Sequence, residues 1–279
     1  VPLVIEKIYK TKVKPILEKE GIKFLMKVPG LDQIVLNKVK TELVNAFGGE
    51  FYEVIIGGAA FNKEVEAFFK RMGFPFTVGY GMTECAPIIT YDDWKEEKLY
   101  SCGKAAPNME VRIASADPAN IPGEIQIKGA NVFLGYYKNE TATSEVFTED
   151  GWFRTGDMGV LDADGSLFIK GRTKCMILGP SGQNIYPEEV ETALNSQPYV
   201  VDSLVIEDDG GLTALIYPDF QQGAKDGMDQ RAFLQYIKDQ LPEWNKELPN
   251  YAKLKKIEVM SEDFERTPKK SIKRYLYQR

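Results

Sequence analysis

Residues 51–84 hold two apolar runs that each break in glycine, with a helical pattern between them. The first run, FYEVIIGGAA at 51–60, is rich in aromatic and β-branched residues and stops at Gly57-Gly58, which reads as a buried strand entering a turn. NKEVEAFFKRMG at 62–73 places Asn62 at a cap position, apolar residues at helical spacing and Gly73 behind the last turn. PFTVGYGMTE at 75–84 is a second strand, broken by Gly79 and Gly81. Strand–helix–strand at this spacing implies a parallel α/β unit. Ligands of such sheets collect at the carboxyl ends of the strands, and both glycine turns fall there.

The flanking sequence changes texture twice. Residues 1–27 carry seven lysines against three glutamates, with Val4, Ile5, Ile8, Val13, Ile16 and Leu17 at helical spacing. This reads as a helix docked on its own domain with its lysines in water, a membrane-surface helix being the alternative. LDQIVLNKVKTELVNAFGG at 31–49 is a further amphipathic helix ended by Gly48-Gly49. From about 100 to 170, short runs such as IPGEIQIKG, GWFRTGDMG and DADGSLFIKG predict a β-rich subdomain. After Gly171 come TKCMILG as a strand, YPEEVETALNS as a helix opened by Pro187, two strands in VVDSLVIED and LTALIYP, a helix in MDQRAFLQYIKDQL and a last strand in KKIEVM. The fold class is α/β: the end of a large domain over 1–171, with a parallel α/β part and the β-rich part, and then a small α+β domain over 172–279.

Composition narrows the chemistry. The 279 residues carry a net charge of −6, which does not suggest a nucleic-acid binder, since the phosphate backbone needs a basic face. There is no histidine, so His-based triads, imidazole bases and His metal sites are excluded. Cys85, Cys102 and Cys175 match no metal or CxxC spacing and suit a reducing compartment, so the expected location is cytoplasmic. No apolar run is long enough to span a bilayer, and VPLVIEKIYK lacks the form of a signal peptide.

Five segments carry a resemblance, in order along the chain. IIGGAA at 55–60 is similar to a glycine-alanine turn, GYGMTE at 79–84 to a Tyr-Gly-x-Thr-Glu motif, and GEIQIKGANVFLGYYKNETAT at 123–143 to a Gly-Glu…Gly…Gly-Tyr…Thr pattern. FRTGD at 153–157 and GRTKCMILGPSGQNIYPEEVE at 171–191 match two motifs that flank a hinge. Together they resemble the acyl-adenylate-forming superfamily, most of all its long-chain fatty acyl-CoA synthetases. The family's Ser/Thr/Gly-rich phosphate loop has no counterpart here, so the chain is expected to be the carboxyl-terminal part of a longer enzyme and inactive alone.

The resemblance implies a two-step reaction. A carboxylate, here a fatty acid, attacks the α-phosphate of ATP to give acyl-AMP and pyrophosphate, and a thiol then takes the acyl group. Coenzyme A is the expected thiol, with carrier-protein phosphopantetheine as the alternative and a nucleotide-binding homologue without ligase activity as a third possibility. Such transfer needs positioning and charge neutralisation, for which histidine is dispensable. By resemblance Thr83 contacts phosphate and Glu84 holds Mg²⁺, a hard cation that takes oxygen ligands. Tyr80 lies against adenine, with Gly81 beside it, and Gly58 and Ala59 floor the same ring. Asp157 accepts hydrogen bonds from both ribose hydroxyls, which suits the two oxygens of a carboxylate. Arg172 approaches the ribose or phosphates, although a plain Asp157–Arg172 ion pair would read the same way. Ile169 packs on the nucleoside. Lys174 is the hinge about which a mobile small domain turns, and the 179–184 loop lines the coenzyme A tunnel.

The chain closes in ERTPKKSIKRYLYQR, with six basic residues after Glu265 and no acid. The family places its adenylation lysine in a pattern like Thr-Pro-x-Gly-Lys-Ile-x-Arg. Thr267, Pro268, Ile272 and Arg274 align without a gap, which leaves Ser271 where the lysine is expected. Lys270 is the expected substitute, with Lys269 the other candidate. Peripheral membrane contact is possible on this reading, and oligomeric state is not legible.

Overall fold

The computed structural model describes residues 2–179, 182–268 and 271–279, the Leu3 side chain excepted. Lys269, Lys270, Pro180 and Ser181 therefore lie outside the described residues. The chain divides into two compact units, Val1–Ile169 and Lys170–Arg279.

In the first unit, strands Val54–Ile56 and Phe76–Val78 pair in parallel, with Val54 opposite Phe76 and Ile56 opposite Val78. The crossover is the helix Lys63–Met72. Its start is fixed by the Asn62 side chain, which accepts the Val65 N–H at 3.1 Å. Its end is fixed by Gly73, whose left-handed φ of 67° closes the last turn. Val65, Phe69 and Met72 recur at helical spacing and are buried. Phe69 meets Phe74 and Phe76 with ring centroids 5.2 and 6.1 Å apart, which welds helix to strand. Asn62→Ala should lower stability by about 1 kcal/mol, read from the midpoint of denaturant unfolding at unchanged slope.

The expectation of a fully buried first strand is corrected: Ile56 is buried, but Ile55 is 51% exposed. At the amino terminus, Pro2–Ile8 and Lys14–Leu17 are α-helical, and Tyr9–Val13 between them is a π-turn segment. Ile5, Tyr9 and Val13 are buried. They recur every four positions, a spacing that drifts about 40° per step on a 3.6-residue turn. The wider π turn offsets that drift and keeps the three on one face. Tyr9 Oη donates to Glu64 Oε1 at 3.0 Å, and Glu6 Oε1 accepts the Asn62 N–H at 2.9 Å, which docks the helix on the crossover. The helix Leu31–Ala46 buries Leu36, Val39 and Leu43 in the same core.

The β-rich part is a four-stranded sheet in chain order: Met109–Ala114, Gly123–Gly129, Phe153–Leu161 and Leu167–Arg172. Its pairing is antiparallel where the first three strands meet.

The second unit is built on a three-stranded sheet. Val200–Asp208 pairs antiparallel with Gly211–Pro218, which pairs in parallel with Leu254–Val259. Strand alternation sends Val205, Ala214 and Ile216 to one face, against Val190, Leu194, Phe233 and Trp244 of the helices. Leu204, Ile206 and Leu215 go to the other face, against Phe264, Ile272 and Tyr277. The strand expected over TKCMILG is corrected to the two residues Ile177–Leu178, paired with Asn184–Ile185, because Thr173–Cys175 winds into a 3₁₀ turn.

Candidate functional site

The carboxyl ends of the parallel pair lie side by side. The Gly79 N–H donates to the Ile56 carbonyl at 2.8 Å, so the turns opening at Gly57 and Gly79 emerge together. Gly58 and Ala59 are exposed there. Tyr80–Gly81 then turns to pair antiparallel with Ile88–Tyr91. A Cβ on Gly81 would lie 2.1 Å from the Pro87 carbonyl oxygen, so only glycine permits this approach.

Thr83 and Glu84 sit in a 3₁₀ turn, Thr83–Cys85, with Thr83 exposed and Glu84 half-buried. The glycine-tyrosine motif braces this turn from the side. Asn131 Nδ2 donates to the Cys85 carbonyl at 2.7 Å and the Ile88 carbonyl at 3.0 Å. The Phe133 N–H donates to the Glu84 carbonyl at 2.8 Å, and Tyr136 Oη donates to Glu84 Oε1 at 3.2 Å. Thr143 Oγ1 in turn accepts the Tyr136 N–H at 2.9 Å. Burial and then the Glu84 charge push the Tyr136 phenol up, which keeps it a donor. Tyr136 was missed as a site residue in the sequence, although it is the tyrosine of the Gly-Tyr motif.

Asp157 reaches the same place through a break in a ladder. Between Glu124 and Gln126 the pairing jumps from Met158 to Arg154, so Thr155, Gly156 and Asp157 face a single residue. Gly156 has a φ of 72°, which the bulge requires. Thr155 Oγ1 donates to the Ile125 carbonyl at 2.8 Å and accepts the Asp157 N–H at 3.1 Å. The bulge is thereby held from within. The result is that Tyr80 Oη donates to Asp157 Oδ2 at 2.7 Å, across 77 positions of sequence. Tyr80 is 7% exposed, and desolvation, then the Asp157 charge, push its hydroxyl far up, so it stays protonated.

Beneath the Gly79 turn lies a buried acid that sequence reasoning missed. Glu97 Oε1 accepts the Val78 N–H at 2.6 Å. Lys70 Nζ donates to the Glu97 carbonyl at 2.6 Å and stands 3.8 Å from Glu97 Oε2. In the sequence Glu97 lies in DDWKEEK, a run that reads as solvated loop. Desolvation raises the Glu97 carboxyl to about 7, against weaker lowering by the Val78 N–H and Lys70. A raised acid favours the protonated form in the fold. Its contribution is therefore full below the unfolded pKa of 4.5 and is lost as pH rises through about 7. Glu97→Gln should remove this group's share of the pH slope, up to about 1.4 kcal/mol per pH unit over that window. Denaturant unfolding of both proteins from pH 4.5 to 7.5 checks it.

Ile169 is 37% exposed on the strand Leu167–Arg172. Arg172 and Lys174 are exposed in the second unit, at the start and within the turn that follows this strand. The expected lysine at 270 lies outside the described residues.

The donor set around Glu84 is one carboxylate and a neighbouring hydroxyl, and among the described residues no group of three or more Asp, Glu or Cys could hold a metal. Mg²⁺ fits so sparse a protein site, because it retains waters and takes substrate phosphate oxygens.

Comparison with known proteins places these features in a family. The AMP-binding enzyme model matches residues 4–137, and the AMP-binding enzyme C-terminal domain model matches residues 176–279. Long-chain-fatty-acid–CoA ligase FadD15 of Mycobacterium bovis is 34% identical over 177 residues, 63% of this chain and 28% of that protein. Long-chain-fatty-acid–CoA ligase 1 of Saccharomyces cerevisiae is 33% identical over 65% of this chain and 26% of its own length. The 2-succinylbenzoate–CoA ligase of Bacillus cytotoxicus is 36% identical over 62% of this chain and 37% of its own length. Among solved structures, o-succinylbenzoate coenzyme A synthetase of Bacillus subtilis in complex with ATP and magnesium is similar with a TM-score of 0.68 and 28% identity, over 84% of this chain and 49% of that one. ATP-bound MatB of Rhodopseudomonas palustris gives 0.63 and 27%, over 81% and 44%. The chain thus spans less than half of each of these relatives. Two family models in family order, and an α/β fold shared with adenylate-forming enzymes, lead to one conclusion: this chain belongs to the AMP-binding enzyme family.

Proposed function

We propose that the chain is part of an ATP-dependent acid–coenzyme A ligase that activates a long-chain fatty acid. The observation that carries this reading is the 2.7 Å hydrogen bond from Tyr80 to Asp157 beside the two glycine turns. It joins two separate motifs into one place where a nucleoside fits. Adenine lies against Tyr80, over Gly58 and Ala59, with Gly81 admitting close backbone approach. Asp157, whose Oδ2 accepts from Tyr80, would accept from the ribose diol, while Ile169 packs on the nucleoside and Arg172 adds charge for ribose or phosphate. Thr83 donates its hydroxyl to phosphate, and Glu84, oriented by Tyr136, would hold Mg²⁺. That ion would neutralise phosphate charge when bound. Lys270 adds positive charge in the first step. Lys174 is the pivot between steps, and the 179–184 loop serves coenzyme A in the second.

The long-chain assignment is supported by the two fatty-acid ligases among the relatives, against the succinylbenzoate ligases. Full-length protein supplied with ATP, coenzyme A and acids of graded chain length should form AMP and acyl-CoA with the highest kcat/KM for long chains. A preference for short or aromatic acids would overturn the assignment. One observation favours a second reading, a nucleotide-binding homologue without ligase activity: Ser271 stands where the family has its lysine. Measurable ATP binding with no product from any acid would favour it.

A further inference from the structure

The Gly79 turn is gripped from two sides. On one, the Gly79 N–H donates to the Ile56 carbonyl at 2.8 Å, where the strand Phe76–Val78 pairs with Val54–Ile56. The other edge of Phe76–Val78 has no strand partner among the described residues. There the Val78 N–H, one position earlier and pointing the opposite way, donates to Glu97 Oε1 at 2.6 Å. The turn has little slack between these two bonds. A Cβ on Gly57 would stand 3.0 Å from the Gly79 carbonyl oxygen, and one on Gly79 would stand 3.3 Å from that of Thr90. Two positions after Val78, Tyr80 Oη meets Asp157 Oδ2 at 2.7 Å. A shift of Val78 therefore moves Tyr80 against Asp157.

Glu97 can hold Val78 because its own loop is fixed in several places. The Trp94 N–H donates to Glu53 Oε2 at 3.0 Å. Lys70 Nζ donates to the Trp94 and Glu97 carbonyls at 3.4 and 2.6 Å. The Tyr100 N–H donates to Glu66 Oε1, and Tyr100 is held there at a φ of 68°, which a tyrosine rarely adopts. Glu66 and Lys70 lie one turn apart on the crossover helix. Glu97 is 4% exposed, and among the described residues its Oε2 accepts no hydrogen bond. A neutral amide would satisfy one peptide N–H as well, without desolvating an ionisable group. A carboxyl in this place therefore invites a reason beyond packing.

We infer that Glu97 is a positioning residue for nucleotide binding: it fixes the Gly79 turn from the open edge of the strand and so sets Tyr80 against Asp157. This rests on the nucleotide site proposed above. The same carboxyl makes the turn respond to protons. Lys70 faces it from the crossover helix, and Glu66 on that helix, Asp92 in the loop and the Cys102 thiol are the other titratable groups near it. Lys63 faces Glu66, and Lys104 faces Asp92. Desolvation raises both Glu97 and Glu66 to about 7, against weaker lowering by their N–H donors and lysines. The folded loop therefore favours their neutral forms. As pH rises through about 7 both ionise while sharing Lys70, and opening the loop to water relieves the buried charge and frees the Val78 N–H.

The test uses the full-length protein and ATP alone, with binding read by calorimetry. Glu97→Ala removes the acceptor, and Kd for ATP should rise about tenfold. Glu97→Gln keeps an acceptor and cannot ionise, so at pH 6.5 its Kd should stay within about twofold of the unmodified protein's. From pH 6.5 to 8.5 the Kd of the unmodified protein divided by that of Glu97→Gln should grow about fivefold, and the titration of ATP itself cancels from that ratio. A purely structural Glu97 would lower the unfolding midpoint on Glu97→Ala and leave Kd where it was. Amide hydrogen exchange gives a readout free of nucleotide: Gly79 should exchange faster in Glu97→Ala, with Val200–Asp208 unchanged. An unchanged Kd in Glu97→Ala, a ratio that does not move with pH, or unchanged exchange at Gly79 would overturn the inference. If Glu97→Ala does not fold, the pH dependence of the Glu97→Gln ratio decides by the same criterion. If the unmodified protein binds no ATP, the nucleotide reading fails, and exchange at Gly79 alone then decides whether Glu97 holds the turn.

Discussion

Gly81→Ala is expected to lower stability by about 3 kcal/mol or more and to abolish acid-dependent AMP formation in the full-length protein. The added methyl would stand 2.1 Å from the Pro87 carbonyl oxygen and 2.9 Å from its carbon. Both are backbone atoms, so no side-chain rotation relieves the overlap. The Pro87 oxygen is also engaged, accepting the Met82 N–H at 2.8 Å. The strands Tyr80–Gly81 and Ile88–Tyr91 would have to separate, which moves Tyr80 on one side and the Thr83–Cys85 turn on the other. Denaturant unfolding reads the stability loss, and product formation reads the displacement of the site. Gly58→Ala is the comparison, because no heavy atom lies within 4 Å of where its methyl would stand and only its φ of 86° opposes the change. It should cost less than Gly81→Ala on both measures.

Asp157→Asn is expected to lower kcat/KM for ATP by about 100-fold while leaving the fold intact. An amide oxygen can still accept the Tyr80 hydroxyl, so the buried contact survives. What is lost is the negative charge offered to the ribose diol, and hydrogen bonds to a charged group contribute about 1.5–3 kcal/mol each. Tyr80→Phe separates the two roles. It removes the hydroxyl that donates to Asp157 Oδ2 at 2.7 Å and keeps the ring for adenine. If Asp157 only anchors Tyr80, Asp157→Asn should fall no further than Tyr80→Phe. If Asp157 holds the ribose, Asp157→Asn should fall well below Tyr80→Phe in steady-state kinetics.

Much of this architecture was legible because local and tertiary signals agree. Asn62 and Gly73 bound the crossover helix in sequence, and the structure uses both as caps. The glycine turns marked the strand ends, and the Gly79–Ile56 hydrogen bond brings them together. What could not be read depends on partners distant in sequence. Glu97 looks like one acid in a charged loop until the Val78 N–H is placed against it. Asp157 was assigned by its motif, but the bulge at 155–157 that turns it toward Tyr80 is a property of strand register, which no local pattern encodes. In the basic run, charge masked a second signal. Phe264, Ile272 and Tyr277 are apolar residues scattered among lysines and arginines, and they cover the open face of a sheet. Glu191 was not singled out in the sequence and is buried against Arg274. The π segment at Tyr9–Val13 was not read from the sequence, where Tyr9 did not count among the apolar positions of an ordinary helix.

The central claim is that Tyr80, Asp157, Thr83 and Glu84 serve the formation of an acyl adenylate. Exchange of labelled pyrophosphate into ATP, with full-length protein and no thiol present, tests it most directly. The account predicts exchange that requires a carboxylic acid, is lost in Asp157→Asn and proceeds without coenzyme A. Exchange independent of any acid, or release of ADP and phosphate in place of AMP and pyrophosphate, would contradict it.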